Sequence, residues 1–427
     1  MSQAAMVDDL MSPEAIRDPY GYFGRLRLDD PVHWNERHRS WLVTRYADVD
    51  ACFRDPRLSS DRVVPHYAGQ GTGTAAAGEP GDEERGWLQP IRTVLADWMV
   101  FQDPPEHTRL RRSVSHAFTP HTVARMEPRI REIVDELLDQ VSGREEIDFV
   151  RELAFPLPAI VIAELLGVPA SDRELFKELS DELSPLVFGE LSEPDRHERA
   201  GRALLGLADY FRDLMRHYRA QPADNLVSTL VEHYEADGLS EDEVAANCVL
   251  LLFAGHETTT NLLACGLLAL LEHPHQRGLL QRDPDLAAGA VEEFLRYDGP
   301  TKLSVRWVAV DLELAGRTIR TGQRVMLLQA TANRDPDVFD RPDELLIDRA
   351  SNPHLAFGLK THYCLGAPLA RLEARLAVPR ALARFPELRP AAAQLQWHPT
   401  IMIRGPRALP VHLGPDVRAT RVEGAPR

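Results

Sequence analysis

Residues 354–372 read HLAFGLKTHYCLGAPLARL and hold Cys364 in a loop of turn-forming residues. A helix is predicted to begin directly after this loop, near Ala367. Backbone N–H groups at a helix start point towards the preceding loop and stabilise negative charge there. The position therefore favours the thiolate of Cys364, which is the form of cysteine that binds a metal. A buried structural thiol is the alternative for this cysteine considered by itself.

The surroundings of Cys364 resemble the haem-ligand loop of the cytochrome P450 family. The family pattern Phe-Gly-x-Gly-x-His-x-Cys-x-Gly is matched at Phe357, Gly358, His362, Cys364 and Gly366. The resemblance implies that Cys364 is the thiolate ligand of the iron in haem b, iron protoporphyrin IX. Electron donation by such a ligand favours cleavage of the O–O bond.

The sequence departs from this pattern once, because Lys360 stands where the family has its second glycine. Glycine is usual where the backbone must adopt a positive φ, a conformation that costs another residue roughly 1–2 kcal/mol. Either the loop avoids positive φ or Lys360 accepts the strain. One interpretation is neutral variation at an exposed turn, and the other is a cation that faces an incoming electron donor.

A second stretch, 240–273, predicts one long helix with a polar middle. Ser240 and Glu243 form a capping box at its start, and Pro274 stands where it should stop. The apolar flanks make a membrane span the rival interpretation. An unpaired acid such as Glu257 is costly in lipid, so we predict a helix that passes through a soluble core.

The middle of that helix, Ala254-Gly255-His256-Glu257-Thr258-Thr259, resembles the family's oxygen-activation signature. Gly255 leaves space for a small ligand near the backbone. Thr258 can bond a carbonyl one turn back, which loosens the helix and leaves room for water. Glu257 supplies an ionisable group for relaying protons. The resemblance implies that Thr258 and Glu257 are catalytic and that Ala254 and Gly255 contact the haem, whereas a buried hydrogen-bonded patch is the alternative for any one of them.

Glu293 and Arg296 match the family's Glu-x-x-Arg, about 70 residues before the cysteine loop. Residues three apart share a helix face, so this pair can form a buried structural ion pair. The family usually completes the network with an arginine, but Glu344 stands at the corresponding place. Arg341 and Arg334 are the predicted substitutes.

Four side chains are predicted to contact the haem propionates. His107 and Arg111 lie four residues apart on one face of a helix for which Asp103 is the predicted N-cap. The resemblance implies propionate contacts for this His-x-x-x-Arg pair and also for Arg306, at the start of a strand, and His362. A solvated surface position is the alternative for any single one of the four.

The composition is that of a water-soluble globular enzyme. Over 427 residues, 44% hydrophobic and 27% charged residues exclude a disordered chain and a collagen-like fibre. A net charge of −16 argues against a nucleic-acid partner, because phosphate backbones are also negative. The first ten residues do not read as a signal peptide, and no membrane partner is expected. Four cysteines without CxxC spacing exclude a zinc ribbon and fit a reducing cytoplasm.

Helical periodicity dominates the chain, and the few short strands do not alternate with helices, which argues against a doubly wound α/β fold. Helices are predicted at 124–142, 150–166, 172–184, 198–218, 223–235 and 284–297, and strands near 41–44, 305–310, 322–328, 399–403 and 409–413. The fold class is therefore mainly α. The resemblance implies the cytochrome P450 fold, a single helical prism with a small β-rich region, as one domain over 1–427.

The folded core of that domain is expected at about 18–413, with loose termini at 1–12 and 414–427. Residues 68–84 are rich in glycine and alanine and are predicted to form a flexible surface loop. A dinucleotide-binding loop is excluded there, because it would need a strand before its glycines and a helix after them.

The resemblance implies a haem-thiolate monooxygenase that inserts one oxygen atom of O2 into a small or medium, mostly apolar organic substrate, with secondary metabolites among the candidates. Thr258 and Glu257 would organise water and deliver protons, and a separate ferredoxin or flavodoxin with its reductase would supply electrons. The rivals are a peroxide-driven family member, which lacks the acid–alcohol pair, a nicotinamide dehydrogenase, and a non-enzymatic haem carrier or sensor.

Two further groups of residues follow from the resemblance. A basic patch for an acidic electron donor is expected near the cysteine loop, at Arg109, Arg112, Lys360, Arg371 and Arg375. An apolar lining for the substrate is expected from Trp98, Met99, Val100, Leu251, Leu303 and Met402.

We expect Cys364→Ser to abolish the far red-shifted Soret band of sulfur-ligated haem in the reduced protein under carbon monoxide, because the substitution removes the thiolate. Replacement of Cys52, Cys248 or Cys265 should leave the band in place. An absorbance spectrum of each reduced variant under carbon monoxide is the measurement. A normal band in the Cys364→Ser protein would overturn the assignment.

Overall fold

Helices carry most of the chain in the computed structural model, which describes residues 9–61, 63, 82–172, 175–176, 178–180, 182–183, 196–400 and 402–418. The helices are α1 (Pro13–Arg17), α2 (Pro19–Asp29), α3 (Tyr46–Arg54), α4 (Asp82–Ala96), α5 (Glu106–Ser115), α6 (Pro120–Arg125), α7 (Glu127–Gln140), α8 (Pro156–Leu166), α9 (Arg196–Ala220), α10 (Leu226–His233), α11 (Glu241–Glu272), α12 (Pro274–Arg282), α13 (Ala287–Asp298), α14 (Gln329–Ala332) and α15 (Ala367–Arg384). The strands are β1 (Val32–Asn35), β2 (Ser40–Val43), β3 (Leu58–Ser59), β4 (Glu146–Asp148), β5 (Ser304–Val308), β6 (Leu312–Leu314), β7 (Arg317–Ile319), β8 (Arg324–Leu327), β9 (Arg389–Pro390) and β10 (Pro410–His412). The prediction of a mainly α fold with little β structure is confirmed.

Helix α11 runs through the core, and local chemistry fixes both of its ends. The Ser240 hydroxyl accepts from the Glu243 N–H at 3.1 Å, and the Glu243 carboxylate accepts from the Ser240 N–H at 2.8 Å, so the predicted capping box is confirmed. The helix ends at Glu272, and Pro274 begins α12. Helices α8, α9, α13 and α15 pack against α11 and bury most of its side chains. Within the described residues α11 is the one helix long and apolar enough to cross a membrane, and its burial is that of a core helix.

The strands of the described chain form three small sheets, and the largest of them positions Arg306. Its order is β1-β2-β8-β5-β3, with β2 and β8 parallel and the other neighbours antiparallel. Arg306 in β5 lies opposite Val325 in β8. The strand predicted near 399–403 is wrong, because among the described residues of that segment only Ile403 pairs, in a single bridge with Thr301.

Prolines set helix boundaries that periodicity alone misplaced. The predicted helix 124–142 is two helices, α6 and α7, because Pro128 in the first turn of α7 starts a new helix after Met126. Residues 150–166 divide in the same way at Pro156, into a π-helical turn and α8. The segments predicted at 172–184 and 68–84 lie partly outside the described residues.

The described parts of both termini pack onto the core, which contradicts the prediction of loose ends there. Leu10 is buried, and its N–H donates to His38 Nε2 at 3.2 Å. The Arg384 Nε donates to the buried carboxylate of Asp416 at 2.9 Å. This ion pair holds the C-terminal segment against α15. Residues 1–8 and 419–427 lie outside the described residues.

A fully buried ion pair joins Glu293 and Arg296 in α13. The Arg296 Nε and Nη2 each donate to a carboxylate oxygen of Glu293 at 2.8 Å. The remaining N–H groups of Arg296 donate to the backbone oxygens of Asn333, Pro342 and Glu344 at 2.7–3.0 Å. The guanidinium is therefore satisfied on all sides, which is the condition under which a buried charge is tolerated.

Arg349 is the third member of this network. Its Nε donates to Glu293 Oε2 at 3.1 Å, and Asn352 Nδ2 donates to the same oxygen at 3.1 Å. The Leu346 N–H also donates to Glu293, at 2.8 Å. The chain therefore already lies against α13 three residues before Arg349. The network thus ties α13 to the segment that leads into the cysteine loop.

The predicted substitutes, Arg341 and Arg334, are wrong. Arg341 is exposed and pairs with Asp340 at 3.4 Å. Arg334 lies over the Tyr20 ring at 3.5 Å, and its Nη2 donates to the Tyr297 carbonyl at 2.7 Å. Both arginines therefore have partners other than Glu293. The chain first passes Glu293 at Leu346, so the cation that reaches this carboxylate is Arg349, which follows Leu346 in the sequence.

We expect Arg349→Leu to lower the free energy of unfolding by about 2–3 kcal/mol, because it leaves part of a buried carboxylate without its cation. Arg341→Leu is the matched control and should change the free energy by no more than about 0.5 kcal/mol, since its side chain is 55% exposed. Denaturant unfolding of the two variants is the measurement. Equal losses in both would remove Arg349 from the network.

Candidate active site

An apolar cavity of about 340 Å³ lies between the middle of α11 and the loop that carries Cys364. The loop contributes Cys364 and Gly366, and α11 contributes Ala254, Gly255 and Thr258. Ala254 is exposed although the residues before it along α11 are buried, because it faces this cavity. The structure thus brings together the two segments that the sequence singled out.

The Cys364 loop is closed by a hydrogen bond from the Cys364 N–H to the Phe357 carbonyl oxygen at 2.9 Å, and α15 begins at Ala367. Burial raises the pKa of the Cys364 thiol, and the N–H groups of Gly366 and Ala367 oppose that rise only in part. The helix start alone therefore does not produce a thiolate, which corrects the sequence argument. A coordinated metal ion would have to supply the remaining stabilisation.

The other three cysteines lie away from this cavity. Cys52, Cys248 and Cys265 are buried and do not line it. Burial raises the pKa of each of these thiols to about 12. Cys364 is therefore the one cysteine placed to act on a molecule in the cavity.

The loop adopts positive φ at two positions before Cys364. Gly358 has a φ of 66° and Lys360 a φ of 54°. The question raised by the sequence is thereby answered, because Lys360 accepts the left-handed conformation that glycine would take more easily. Its side chain is exposed, and within the described part of the chain no ion pair involves it.

The four predicted propionate contacts all line the cavity. The rings of His107 and His362 are 4.3 Å apart, and the Arg111 Nη1 donates to the Thr361 carbonyl at 3.4 Å. Burial lowers the pKa of His107 to about 4, so its ring is neutral at pH 7, and its Nδ1 has no hydrogen-bond partner among the described residues. Burial also lowers the pKa of Arg306, to about 10. Both buried groups are suited to an anionic partner from outside the chain.

Asp103 is not the N-cap that the sequence predicted. Helix α5 begins at Glu106, and Pro105 precedes it without a side-chain cap. The Asp103 carboxylate instead accepts from the Ser60 N–H at 2.9 Å and from the Ser59 hydroxyl. These bonds fasten β3 to the start of α5, the helix that carries His107 and Arg111.

The middle of α11 carries hydroxyl groups that bond to the helix backbone. Thr258 Oγ1 donates to the Ala254 carbonyl at 3.0 Å, and Thr259 Oγ1 donates to the Gly255 carbonyl at 3.2 Å. A Cβ at Gly255 would lie 2.9 Å from Cγ1 of Ile162 in α8. Glycine is therefore needed at this position for close helix packing as well as for space beside the cavity.

Glu257 points away from the cavity, unlike Thr258. It is not among the described residues that line the cavity, and its Oε1 lies 3.6 Å from His256 Nε2. His256 is buried against the Phe155 ring, at 5.0 Å between centroids, and burial lowers its pKa to about 4. The Glu257 side chain keeps 16% of its surface exposed, whereas the neighbouring His256 side chain keeps 3%.

All six predicted substrate-contacting residues line the cavity: Trp98, Met99, Val100, Leu251, Leu303 and Met402. Trp98 stacks on Phe101 and Phe253, with centroid distances of 5.7 and 6.3 Å. The wall opposite the cysteine loop is therefore largely aromatic and aliphatic.

Glu373 is a site residue that the sequence reasoning missed. It lies in α15, lines the cavity and is 1% exposed. Burial raises its pKa well above the usual value, and its Oε2 has no partner among the described residues. The burial disfavours the charged form of its carboxyl group. The available signal was an acid on the apolar face of a helix, beside Leu369, Leu372 and Leu376.

Comparisons with known proteins agree with this geometry. The family model described as Cytochrome P450 matches residues 78–393. The chain belongs to the cytochrome P450 family. It is 40% identical to a vitamin D(3) 25-hydroxylase of Pseudonocardia autotrophica, over 95% of this chain and 96% of that protein. It is 38% identical to a biotin biosynthesis cytochrome P450 of Bacillus subtilis, over 94% of this chain and 97% of that protein.

Solved structures show the same fold. The crystal structure of P450BioI in complex with an acyl carrier protein ligated to hexadec-9Z-enoic acid superposes with a TM-score of 0.85. That match has 36% sequence identity and covers 94% of this chain and all of that chain. The cytochrome P450 fold predicted from the sequence is confirmed, and the protein is a haem-dependent monooxygenase of this family.

The residues of this P450 fit a haem group. Cys364 offers a sulfur ligand, and Ala254 and Gly255 present a surface without long side chains on the other element that borders the cavity. His107 is buried with its Nδ1 lacking a hydrogen-bond partner among the described residues, and Arg306 forms no ion pair within 4 Å there, so both can take up an outside anion such as a propionate. Cys364 would therefore hold the iron, with His107, Arg111, Arg306 and His362 for the propionates.

The predicted basic patch is less uniform than the sequence suggested. Arg109 is bound by Glu243 at the start of α11, Arg371 by Glu292 and Arg375 by Glu127. Arg112 and Lys360 are exposed, and no ion pair to either occurs within the described ranges. Arg371 also lies over the Phe357 ring at 4.6 Å, so it supports the cysteine loop from outside.

Proposed function

We propose that this P450 acts as a single catalytic domain that hydroxylates or otherwise oxidises a medium-sized, mostly apolar organic molecule in the cytoplasm, with secondary metabolites among the candidates. The observation that supports it is the cavity, which has Cys364 and Thr258 on its border and Trp98, Leu251 and Leu303 in its wall. Two relatives support an apolar substrate, since one is a vitamin D(3) 25-hydroxylase and the other is bound to an acyl carrier protein that carries hexadec-9Z-enoic acid.

In this proposal Thr258 positions water and Glu257 connects that water to solvent. Haem bound in the cavity would supply the activation of O2. The Thr258 hydroxyl borders the cavity and has its proton engaged by Ala254, which leaves its oxygen lone pairs free to accept from a water. Glu257 does not line the cavity, so a proton taken up from solvent and relayed by its carboxyl group has to pass through water along α11.

We expect Thr258→Ala to keep haem and ligand binding but to raise the hydrogen peroxide released per NAD(P)H oxidised severalfold, because the water that delivers the proton is no longer held. Thr258→Ser, which keeps the hydroxyl, should restore the ratio. Thr260→Ala is the matched control, since Thr260 lies on α11 but does not line the cavity. A wild-type ratio in Thr258→Ala would remove Thr258 from the mechanism.

For the electron donor, we propose a separate ferredoxin or flavodoxin that docks beside the cysteine loop. Lys360 and Arg112 are the exposed cations of the predicted patch that form no ion pair within 4 Å among the described residues, although the charge of Lys360 also acts on Asp50. An acidic donor would gain most from these two charges, because unpaired cations present the stronger field. Lys360 has a φ of 54°, which glycine would adopt with less strain. Lysine at this position therefore costs stability, and the positive charge is what the chain gains in exchange.

We expect Lys360→Glu to slow reduction by an acidic ferredoxin, and Lys360→Gly to slow it less and to weaken its dependence on salt. Arg25→Glu, an equal charge change at an exposed position on α2, is the control. Stopped-flow reduction at several salt concentrations is the measurement, with the carbon monoxide spectrum unchanged throughout. Equal rates and salt dependence in all four proteins would exclude Lys360 from docking.

A further inference from the structure

Asn247 joins α11 to the segment 97–101, which forms one wall of the cavity. The Asn247 side chain is 3% exposed and does not itself line the cavity. Its Oδ1 accepts from the Met99 N–H at 3.0 Å, and its Nδ2 donates to the Asp97 carbonyl at 2.7 Å. The second proton of Nδ2 goes to the Glu243 carbonyl at 2.8 Å. The amide group is therefore fully used, and it bonds backbone atoms on two different segments.

The segment needs these bonds because its own capping is incomplete. Residues Met99–Phe101 form a single 3₁₀ turn, and Trp98 stands at its N-cap without a side-chain hydrogen bond. A helical turn leaves its first N–H groups unsatisfied, and a buried unsatisfied N–H is costly. Asn247 supplies the missing acceptor for Met99 from 148 residues along the chain. An amide side chain can accept from the Met99 N–H and donate to two carbonyl oxygens at once, whereas a hydroxyl has only one proton to donate.

The segment held in this way presents Trp98, Met99 and Val100 to the cavity. Trp98 also stacks on Phe253, so the same segment has a second attachment to α11 one and a half turns further on. Asn247 fixes the backbone, and the ring stack fixes the side chain. Leu251, one turn after Asn247, faces the cavity as well. A change at Asn247 therefore reaches the cavity wall without touching the Cys364 loop.

We propose that Asn247 is a positioning residue that fixes the 97–101 wall and thereby determines which large apolar ligands this P450 accepts. The inference rests on the proposed function, since it concerns the ligand of the same cavity. Small ligands that sit beside the cysteine loop do not reach the wall, whereas large ligands pack against it. Loss of the amide bonds thus weakens the binding of large ligands selectively.

The test uses the haem-loaded full-length protein and two probes of different size. Imidazole is small, and econazole carries the same ring with two chlorinated aromatic groups. In Asn247→Leu we expect the Kd of econazole to rise about tenfold, because buried hydrogen bonds that hold the wall are lost, while the Kd of imidazole stays unchanged. Titration followed by the shift of the Soret band gives both constants.

Hydrogen exchange supplies a second readout that general destabilisation would not mimic. The Met99 amide should exchange faster in Asn247→Leu but stay protected in Asn247→Asp, which keeps the acceptor oxygen. Asn225→Ala is the control, because Asn225 caps α10 with one side-chain bond, at 2.9 Å from the Ser228 nitrogen, away from the cavity. It should lower the melting temperature and leave the econazole Kd unchanged.

Two results would overturn the inference: an unchanged Met99 exchange rate in Asn247→Leu, or an equal rise in both Kd values. Failure of the proposed function gives a different result. Wild-type protein supplied with NAD(P)H, ferredoxin and reductase would then oxidise no apolar substrate, while the econazole Kd would still rise in Asn247→Leu.

Discussion

The arrangement of the site depends on the hydrogen bonds and ion pairs made by the buried carboxylate of Glu293. This carboxylate is fully shielded from water, and ionised groups survive there only with cations and N–H donors on every side. Arg296 and Arg349 supply the cations, and the Leu346 backbone and Asn352 supply further donors. Arg296 lies in α13 itself, and the other three partners lie close together within residues 346–352. The hydrogen bonds to this one carboxylate therefore hold residues 346–352, which lead into the cysteine loop, against α13.

Helix α11 illustrates a second constraint, which is the placement of polar groups in an apolar core. Its flanks bury leucines and alanines against four helices, while its middle borders the cavity. Thr258 and Thr259 satisfy their hydroxyl protons within the helix itself, so neither needs a partner on another element. The helix can then expose hydroxyl oxygens to a cavity without an energetic penalty elsewhere. Asn247 uses the opposite solution, because its amide group bonds outwards to a neighbouring segment.

Much of this organisation was readable from the residues. The capping box at Ser240, the helix start at Ala367 and the mainly α class follow from local chemistry and periodicity, and all three are confirmed. Local patterns could not locate Arg349, because its approach to Glu293 depends on a turn whose direction is set by tertiary contacts. The same limit applies to the burial of Glu373 and to the contacts of Asn247 with Asp97 and Met99, because both depend on segments far away in sequence. For Cys364 the sequence argument identified the stabilising N–H groups of the helix start but omitted desolvation, which raises the pKa of the thiol.

The burial of Cys52, Cys248 and Cys265 has a practical consequence for handling the protein. Thiols whose pKa lies near 12 hold almost no thiolate at neutral pH, so they react slowly with oxidants and alkylating reagents. Their positions in α3 and α11 also keep reagents out for as long as the core is closed. Each of them becomes reactive when the chain opens. The extent of alkylation at these three cysteines therefore measures the fraction of molecules whose core has unfolded.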